Sequence, residues 1–292
     1  MTAALLYFED ESDAASRLAH KAGLALMKIN RHRFPDGELR LQLPASLPSR
    51  VVLLRSLVNP NEKLVELLLT ARSARELGAR HLTLVAPYLA YMRQDMAFHP
   101  GEVVSQRVVG AFLGSLFDAL ITVDPHLHRI STLEEAVPVA QAVLLSGAPL
   151  LGDWIARHRP NALLFGPDGE SEQWVAQAAE RHGFDHAVCQ KVRHGDHAVE
   201  IELPKMNVQG RQVVLLDDVA SSGRTLAQAA QLLRNAGAAS VDVAVTHALF
   251  GGDALDVVRA AGVGEIWSTD CIAHASNVVP MAGALTQALR QL

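Results

Sequence analysis

Cysteine is nearly absent: Cys189 and Cys271 are the only two in 292 residues. One pair is too few for a disulfide scaffold, and no Cys-x-x-Cys spacing offers a zinc site. Two reduced thiols in a reducing compartment are expected. Long apolar runs are missing too. None approaches the ~20 residues needed to span a membrane. The first ten residues lack the basic start and apolar stretch of a secretory signal. No membrane association and a cytoplasmic location are therefore expected. Positive charge is not in excess either. With 26 Lys and Arg against 31 Asp and Glu, the net charge is −5, and no broad basic field exists to hold nucleic acid. Any anionic ligand must be held by local cations and backbone dipoles. No Gly-x-x-x-x-Gly-Lys-Ser/Thr loop occurs, and no Gly-x-Gly-x-x-Gly opens a helix. A P-loop NTPase and a dinucleotide-binding dehydrogenase lose their main support. No Ser–His–Asp or Cys–His pattern marks a protein nucleophile.

What is present is an ordinary globular composition, 49% hydrophobic and 20% charged. The length suggests about two domains of ~150 residues. Apolar strand-like runs alternate with helical patterns. Residues 51–54, 82–86 and 119–123 read as strands, with helices over 64–77 and 103–116. A break rich in Pro and Gly lies near 134–149. The pattern then restarts: a helix ending over 154–158, a strand at 162–165, a helix at 172–182, and strands at 213–216, 241–248 and 265–268. This is the βαβ signature of a parallel sheet covered on both faces. Two similar α/β halves are expected, residues 1–145 and 146–292.

The run Val213-Val214-Leu215-Leu216-Asp217-Asp218-Val219-Ala220-Ser221-Ser222-Gly223-Arg224-Thr225 is the most informative stretch. An apolar strand leads into two carboxylates, then a small hydroxyl-rich loop, then a helix over 226–236 closed by Gly237. Loop N–H groups and the positive end of a helix hold phosphate. Asp217 and Asp218 can accept hydrogen bonds from two neighbouring ribose hydroxyls. The plainer reading, a strand end and a Ser221 helix cap, explains less of the pattern. In open α/β sheets ligands sit beyond the carboxyl ends of strands. Polar segments collect at those ends: Arg93-Gln94-Asp95 after 82–86, Asp124-Pro125-His126-Leu127-His128 after 119–123, and Gly166-Pro167-Asp168-Gly169 after 162–165.

The run from Asp217 to Thr225 resembles the phosphoribosyl-diphosphate (PRPP) motif of type I phosphoribosyltransferases and PRPP synthetases. The chain as a whole resembles the ribose-phosphate diphosphokinase (PRPP synthetase) family, of the compact archaeal type. Arg33-Phe34-Pro35-Asp36-Gly37-Glu38 is similar to the family's Phe-x-Asp-Gly-Glu loop. That resemblance implies ATP contacts for Phe34, Asp36, Gly37 and Glu38. Arg93, Gln94 and Asp95 match its Arg-Gln-Asp element, also for ATP. His126 matches a histidine that assists metal and phosphate binding, whereas His128 reads as structural. Asp168, in the pyrophosphate loop, is implied as a ligand of Mg²⁺. Lys191-Val192-Arg193 resembles the mobile catalytic loop, with Lys191 and Arg193 closing on the phosphates. Asp217, Asp218, Ser221, Ser222, Gly223, Arg224 and Thr225 are implied to bind ribose 5-phosphate.

The resemblance further implies two type I phosphoribosyltransferase-like domains, Mg²⁺ as cofactor, and ATP and ribose 5-phosphate as substrates. It implies a homo-oligomer, a dimer or larger, in which the Phe-x-Asp-Gly-Glu loop reaches a neighbour's ATP. Three features depart from the family pattern, one being Ser221, at a place that is acidic in many bacterial relatives. Glu170-Ser171-Glu172 follows the pyrophosphate loop where small residues are usual, and Met96 stands where many relatives carry Lys. A phosphoribosyltransferase that consumes PRPP, or a catalytically silent regulatory subunit, remain alternative readings.

Overall fold

The computed structural model describes residues 3–127, 129–130, 132–194 and 198–292, with the backbone only for 191–194 and 198–200. The chain forms two compact units: Met1–Leu145 with Met281–Leu292, and Ser146–Pro280. The expected division assigned residues 281–292 to the second half. They pack with the first instead.

The first unit contains β1 (Ala4–Phe8), α1 (Ser12–Ala22), β2 (Ala25–Arg33), β3 (Leu39–Gln42), β4 (Arg50–Leu54), α2 (Pro60–Glu76), β5 (His81–Ala86), α3 (Ser105–Gly114), β6 (Ala119–Val123), α4 (Leu133–Ala136) and β7 (Gln141–Leu145). Among the described residues the sheet order is β3-β2-β1-β4-β5-β6-β7. Only the β2–β3 hairpin is antiparallel. Leu6, Leu53, Leu84 and Leu120 enter one core with Leu67 of α2 and Leu113 of α3. The opposite face receives α1 and a helix from the far end of the sequence.

The second unit contains α5 (Ala148–His158), β8 (Leu163–Gly166), α6 (Glu172–Glu180), β9 (His186–Val188), β10 (Gln190–His194), β11 (Ala198–Glu202), β12 (Gln212–Ala220), α7 (Arg224–Asn235), β13 (Ser240–Ala248), α8 (Ala254–Ala260), β14 (Ile266–Thr269) and β15 (Asn277–Val279). Helix α9 (Ala282–Leu289) then returns to the first unit, packing on α1, β6 and β7. The parallel order β15-β14-β13-β12-β8-β9 makes the second main sheet. Strand residues alternate between its faces. Leu163, Leu215 and Val243 meet Leu233 of α7 and Val258 of α8. Leu164, Val214 and Ala244 meet Leu151 of α5 and Trp174 of α6. Each such aliphatic side chain contributes roughly 1.5–3 kcal/mol on burial. Burial on both faces explains why these strands read as unbroken apolar runs.

Several expected boundaries shift. Helix α2 starts at Pro60, four residues before Leu64, because Asn59-Pro60 supplies a helix start. Helix α3 is trimmed to Ser105–Gly114. Strand β12 does not stop at Leu216. Its parallel pairing with β13 continues to Ala220, opposite Ala248. Asp217 and Asp218 therefore lie inside the strand rather than after it. The segment read as a mobile loop around Lys191 is a two-stranded antiparallel hairpin, with Gln190 opposite Glu202.

Candidate active site

In the second unit, β8 and β12 are in register with Phe165 opposite Leu215. The loop after β8 thus emerges beside Leu216–Asp218. Asp168 is buried, and its Oδ1 accepts from Glu170 N at 3.0 Å, capping the short 3₁₀ turn Gly169–Ser171. Ser171 is fully buried, and its hydroxyl donates to Asp168 O at 2.5 Å. It stands at the start of α6 by position but gives that helix no side-chain cap. Glu170 and Glu172 are exposed, so two carboxylates that could repel a phosphate stay solvated.

Asp218 is 2% exposed and Asp217 is half-buried, with Asp217 Oδ1 accepting from Asp218 N at 3.0 Å. Burial pushes the Asp217 carboxyl well above the usual carboxylate range. The negative charges of Asp218 and then Asp168 push it further. Two carboxylates of β12 and one from the loop after the adjacent β8 thus crowd one place. Among the described residues, no group of three or more His, Cys, Asp or Glu could hold a metal ion by itself. Mg²⁺ is commonly held by one or two carboxylates together with substrate phosphates. Hard oxygen donors that destabilise one another fit that ion.

The small loop follows directly. Ser221 is half-buried, Ser222 and Arg224 are exposed, and Thr225 is half-buried. The serines are not turned into the core. Gly223 has φ +70 and stands at the start of α7. A Cβ there would lie 2.8 Å from Val258 Cγ2 and 2.9 Å from Ala254 O. The neighbouring segment clasps the loop: Phe250 N donates to Ala220 O at 2.8 Å and Gly251 N to Ser221 O at 3.0 Å. The first N–H groups of α7 have no partners within the helix. If this loop is the expected ribose 5-phosphate cradle, Gly223→Ala should displace it and raise the KM for that sugar about thirtyfold, since left-handed strain and overpacking together cost ~2 kcal/mol. Steady-state kinetics with that sugar varied checks it, and an unchanged KM would show that the loop does not hold the sugar.

The hairpin that carries Lys191 and Arg193 is rooted nearby. Cys189 N, just before β10, donates to Gly166 O at 2.9 Å. Its strands place the Lys191 and Arg193 backbones at the second and fourth positions of β10. The side chains of Lys191 and Arg193 lie outside the described residues, as do His128 and residues 195–197. Cys189 itself is fully buried, and burial, aided by the charge of Asp168, pushes its thiol up to about 11. Cys271 is 2% exposed. A thiol-specific chromophore at pH 8 should label neither cysteine in the native protein and both after denaturation. The ionised fraction of Cys189 would be only about 10⁻³. Rapid native labelling would contradict this burial.

In the first unit, the turn between β2 and β3 carries Phe34 to Glu38, all exposed. It is closed by Phe34 N donating to Glu38 O at 2.8 Å, Gly37 N to Phe34 O at 2.9 Å, and Glu38 N to Asp36 Oδ1 at 3.1 Å. Gly37 adopts φ +94. After β5, Arg93 is exposed, Gln94 donates to Met96 O at 2.9 Å, and buried Asp95 accepts from Arg129 at 2.7 Å. After β6, Asp124 (φ 37) and His126 (φ 57) both adopt the left-handed region, as does Tyr91 (φ 66) after β5. Such conformations cost about 1–3 kcal/mol each and cluster at functional sites. All lie at the carboxyl ends of strands, where this topology accepts ligands.

Sequence reasoning did not single out Arg129 or Arg55. Arg129 carried no motif. Arg55 directly follows the run 51–54, and a charged residue at a strand's carboxyl end was the available signal. Arg55 is fully buried.

A family model described as the N-terminal domain of ribose phosphate pyrophosphokinase matches residues 3–116, and one described as a phosphoribosyl transferase domain matches 150–259. The chain is 36% identical over 279 residues to a ribose-phosphate pyrophosphokinase of Methanopyrus kandleri, covering 94% of each. It is 33% identical over 280 residues to that of Methanosarcina acetivorans, covering 95% of this chain and 96% of the relative. In fold it is similar to the crystal structure of a phosphoribosylpyrophosphate synthetase from Mycobacterium smegmatis. The TM-score is 0.86 at 21% identity, over 99% of this chain and 98% of that one. Identity of this order along nearly the whole length, with a match to that enzyme's N-terminal domain ahead of a phosphoribosyl transferase domain, means that the chain belongs to the ribose-phosphate pyrophosphokinase family.

Proposed function

We propose that this protein is a ribose-phosphate diphosphokinase that makes PRPP and AMP from ATP and ribose 5-phosphate. The C1 hydroxyl oxygen of the sugar attacks the β-phosphorus of ATP in line. The bond from that phosphorus to the α,β-bridging oxygen breaks, and AMP leaves. The hydroxyl proton passes to solvent. The observation that carries the reading is the pairing, in one chain, of the two family modules with a half-open Ser221–Thr225 cradle at the start of α7. A simple phosphoribosyltransferase has no use for the first module.

The residue roles that the family resemblance implies suit this chemistry. Transfer of a diphosphoryl group asks the protein mainly to align two anions and to offset growing charge. The cradle from Ser221 to Thr225 holds the 5-phosphate, and Asp217 and Asp218 accept from the ribose hydroxyls. Phe34, Asp36, Gly37, Glu38, Arg93, Gln94, Asp95 and His126 serve the nucleotide. Lys191 and Arg193 bring positive charge to the transferred group. Asp168 would hold Mg²⁺ beside the substrate phosphates, and His126 is proposed as a metal ligand on the first unit. Bound there, the ion supplies Lewis-acid neutralisation of phosphoryl charge.

The protein is proposed to act as a homo-oligomer in the cytoplasm. Exposed Val65 and Leu69 on α2 and Val108 on α3 support a further apolar contact. No described helix is long and apolar enough to cross a membrane.

The deciding experiment incubates the purified protein with Mg-ATP and ribose 5-phosphate. AMP and PRPP should form in equal amounts. Activity seen only with PRPP and a base would replace this reading with phosphoribosyl transfer. Binding of both substrates without turnover would leave a silent subunit.

A further inference from the structure

The β2–β3 hairpin overhangs its sheet. Strand β1 pairs with β2 only from Ala25 to Ile29. The last four residues of β2, Asn30–Arg33, pair only with Gln42–Leu39 of β3. The turn that carries Phe34–Glu38 therefore sits on a two-stranded ribbon beyond the sheet, and an isolated ribbon of that kind is marginally stable in water. Its direction needs another source.

Side-chain ion pairs supply one. Arg31 pairs with Glu66, and Arg33 with Glu62. The spacings match. Residues two apart in a strand are separated by about 6.6 Å, and residues four apart in a helix by about 6 Å, with each pair on one face. Two rungs can thus form between β2 and α2 without strain. The rungs are unequal. The Arg33–Glu62 pair is largely exposed, with side chains 57% and 35% accessible. Glu66 is fully buried, and its second oxygen meets Arg55 at 2.5 Å. Arg55 is held in turn by Asp10 at 2.7 Å and Glu11 at 3.1 Å, and its guanidinium lies over the Phe8 ring, 4.6 Å from its centre. A buried carboxylate that engages two guanidinium groups has little freedom to reorient.

We propose that Glu66 and Glu62 are positioning residues for the nucleotide. Arg55 fixes Glu66, Glu66 and Glu62 fix Arg31 and Arg33, and this ladder aims the Phe34–Glu38 turn. The inference rests on the reading that this turn contacts ATP. Neither glutamate touches a substrate. Loss of the ladder leaves the cradle on β12 and α7 intact.

The test compares Glu66→Gln, Glu62→Gln and Phe34→Ala by steady-state kinetics, with KM measured for each substrate and thermal melting as the check on folding. Glu66→Gln should raise the KM for ATP about tenfold, because small displacements of a positioning element carry penalties of this order. Glu62→Gln, on the exposed rung, should raise it about threefold. The KM for ribose 5-phosphate should stay within about twofold in both. If Glu66→Gln does not fold, Glu62→Gln decides alone, because its pair is exposed. Suppose Phe34→Ala raises the KM for ATP and the folded glutamate variants do not, or they raise both KM values equally. The ladder then has no positioning role, while the turn keeps its place at the nucleotide. If Phe34→Ala leaves the KM for ATP unchanged, the turn does not meet the nucleotide, and both readings fall together.

Discussion

Lys191→Ala is expected to lower turnover about 10²–10³-fold, the usual consequence of removing one preorganised stabiliser of transition-state charge. The affinity for ribose 5-phosphate should barely change. The sugar phosphate is assigned to backbone N–H groups at Gly223 and α7, which belong to a different element. Position 191 lies on β10, in a hairpin rooted by the Cys189–Gly166 backbone bond beside the Asp168 loop. In its proposed role, a cation on that hairpin would meet charge that grows only as the diphosphoryl group moves, so its loss should appear in kcat more than in substrate binding. Rapid-quench measurement of AMP release, beside calorimetric titration with ribose 5-phosphate, separates the two. Undiminished turnover in the variant would remove Lys191 from the mechanism.

Asp217→Asn should make the substrate-free protein more stable and the enzyme worse. Burial, with the charges of Asp218 and Asp168, holds the Asp217 carboxyl above its usual range. The native state therefore grips that proton more tightly than the unfolded chain does. The resulting stability is fully present below about pH 4 and is lost as pH rises through the raised value. Asparagine cannot ionise and escapes this loss. The variant should melt at a higher temperature than the parent at pH 8, with the gap closing toward pH 4. Catalysis should move the other way. Loss of a charge-assisted bond to a ribose hydroxyl costs about 2–3 kcal/mol, roughly 30- to 150-fold in kcat/KM. Calorimetric melting across pH and kinetics on one preparation check both signs. A variant that melts lower at pH 8, with Mg²⁺ and substrates absent, would contradict the crowding of the three carboxylates.

Legibility in the sequence followed burial. Strands covered on both faces, such as β6, β8 and β12, declared themselves as apolar runs. Strand β2 did not, because most of its residues are exposed, and β3 did not because its alternation of Leu and polar residues spans only four positions. The carboxylates of Asp217 and Asp218 looked like the end of a strand. Backbone pairing with β13 continues past them regardless of side-chain polarity. The Lys191 hairpin looked like a loop because its charged residues mimic solvated coil. Helix α9 carried no mark of where it docks. Its place on α1 is a matter of packing between segments some 260 residues apart in sequence.

Local pattern alone determined the order of the chemistry along this chain. A glycine that must turn left-handed, a hydroxyl-rich loop before a helix, and polar residues after each apolar run are short-range requirements, readable within a few positions. Tertiary structure alone decided which charges lose their water and which neighbours they meet. Arg55 and Glu66 are buried as a pair, and Asp168 is brought beside Asp217. The reason is that desolvation and Coulomb interaction depend on distance through space, and no spacing along the chain fixes that distance for segments drawn together by the sheets.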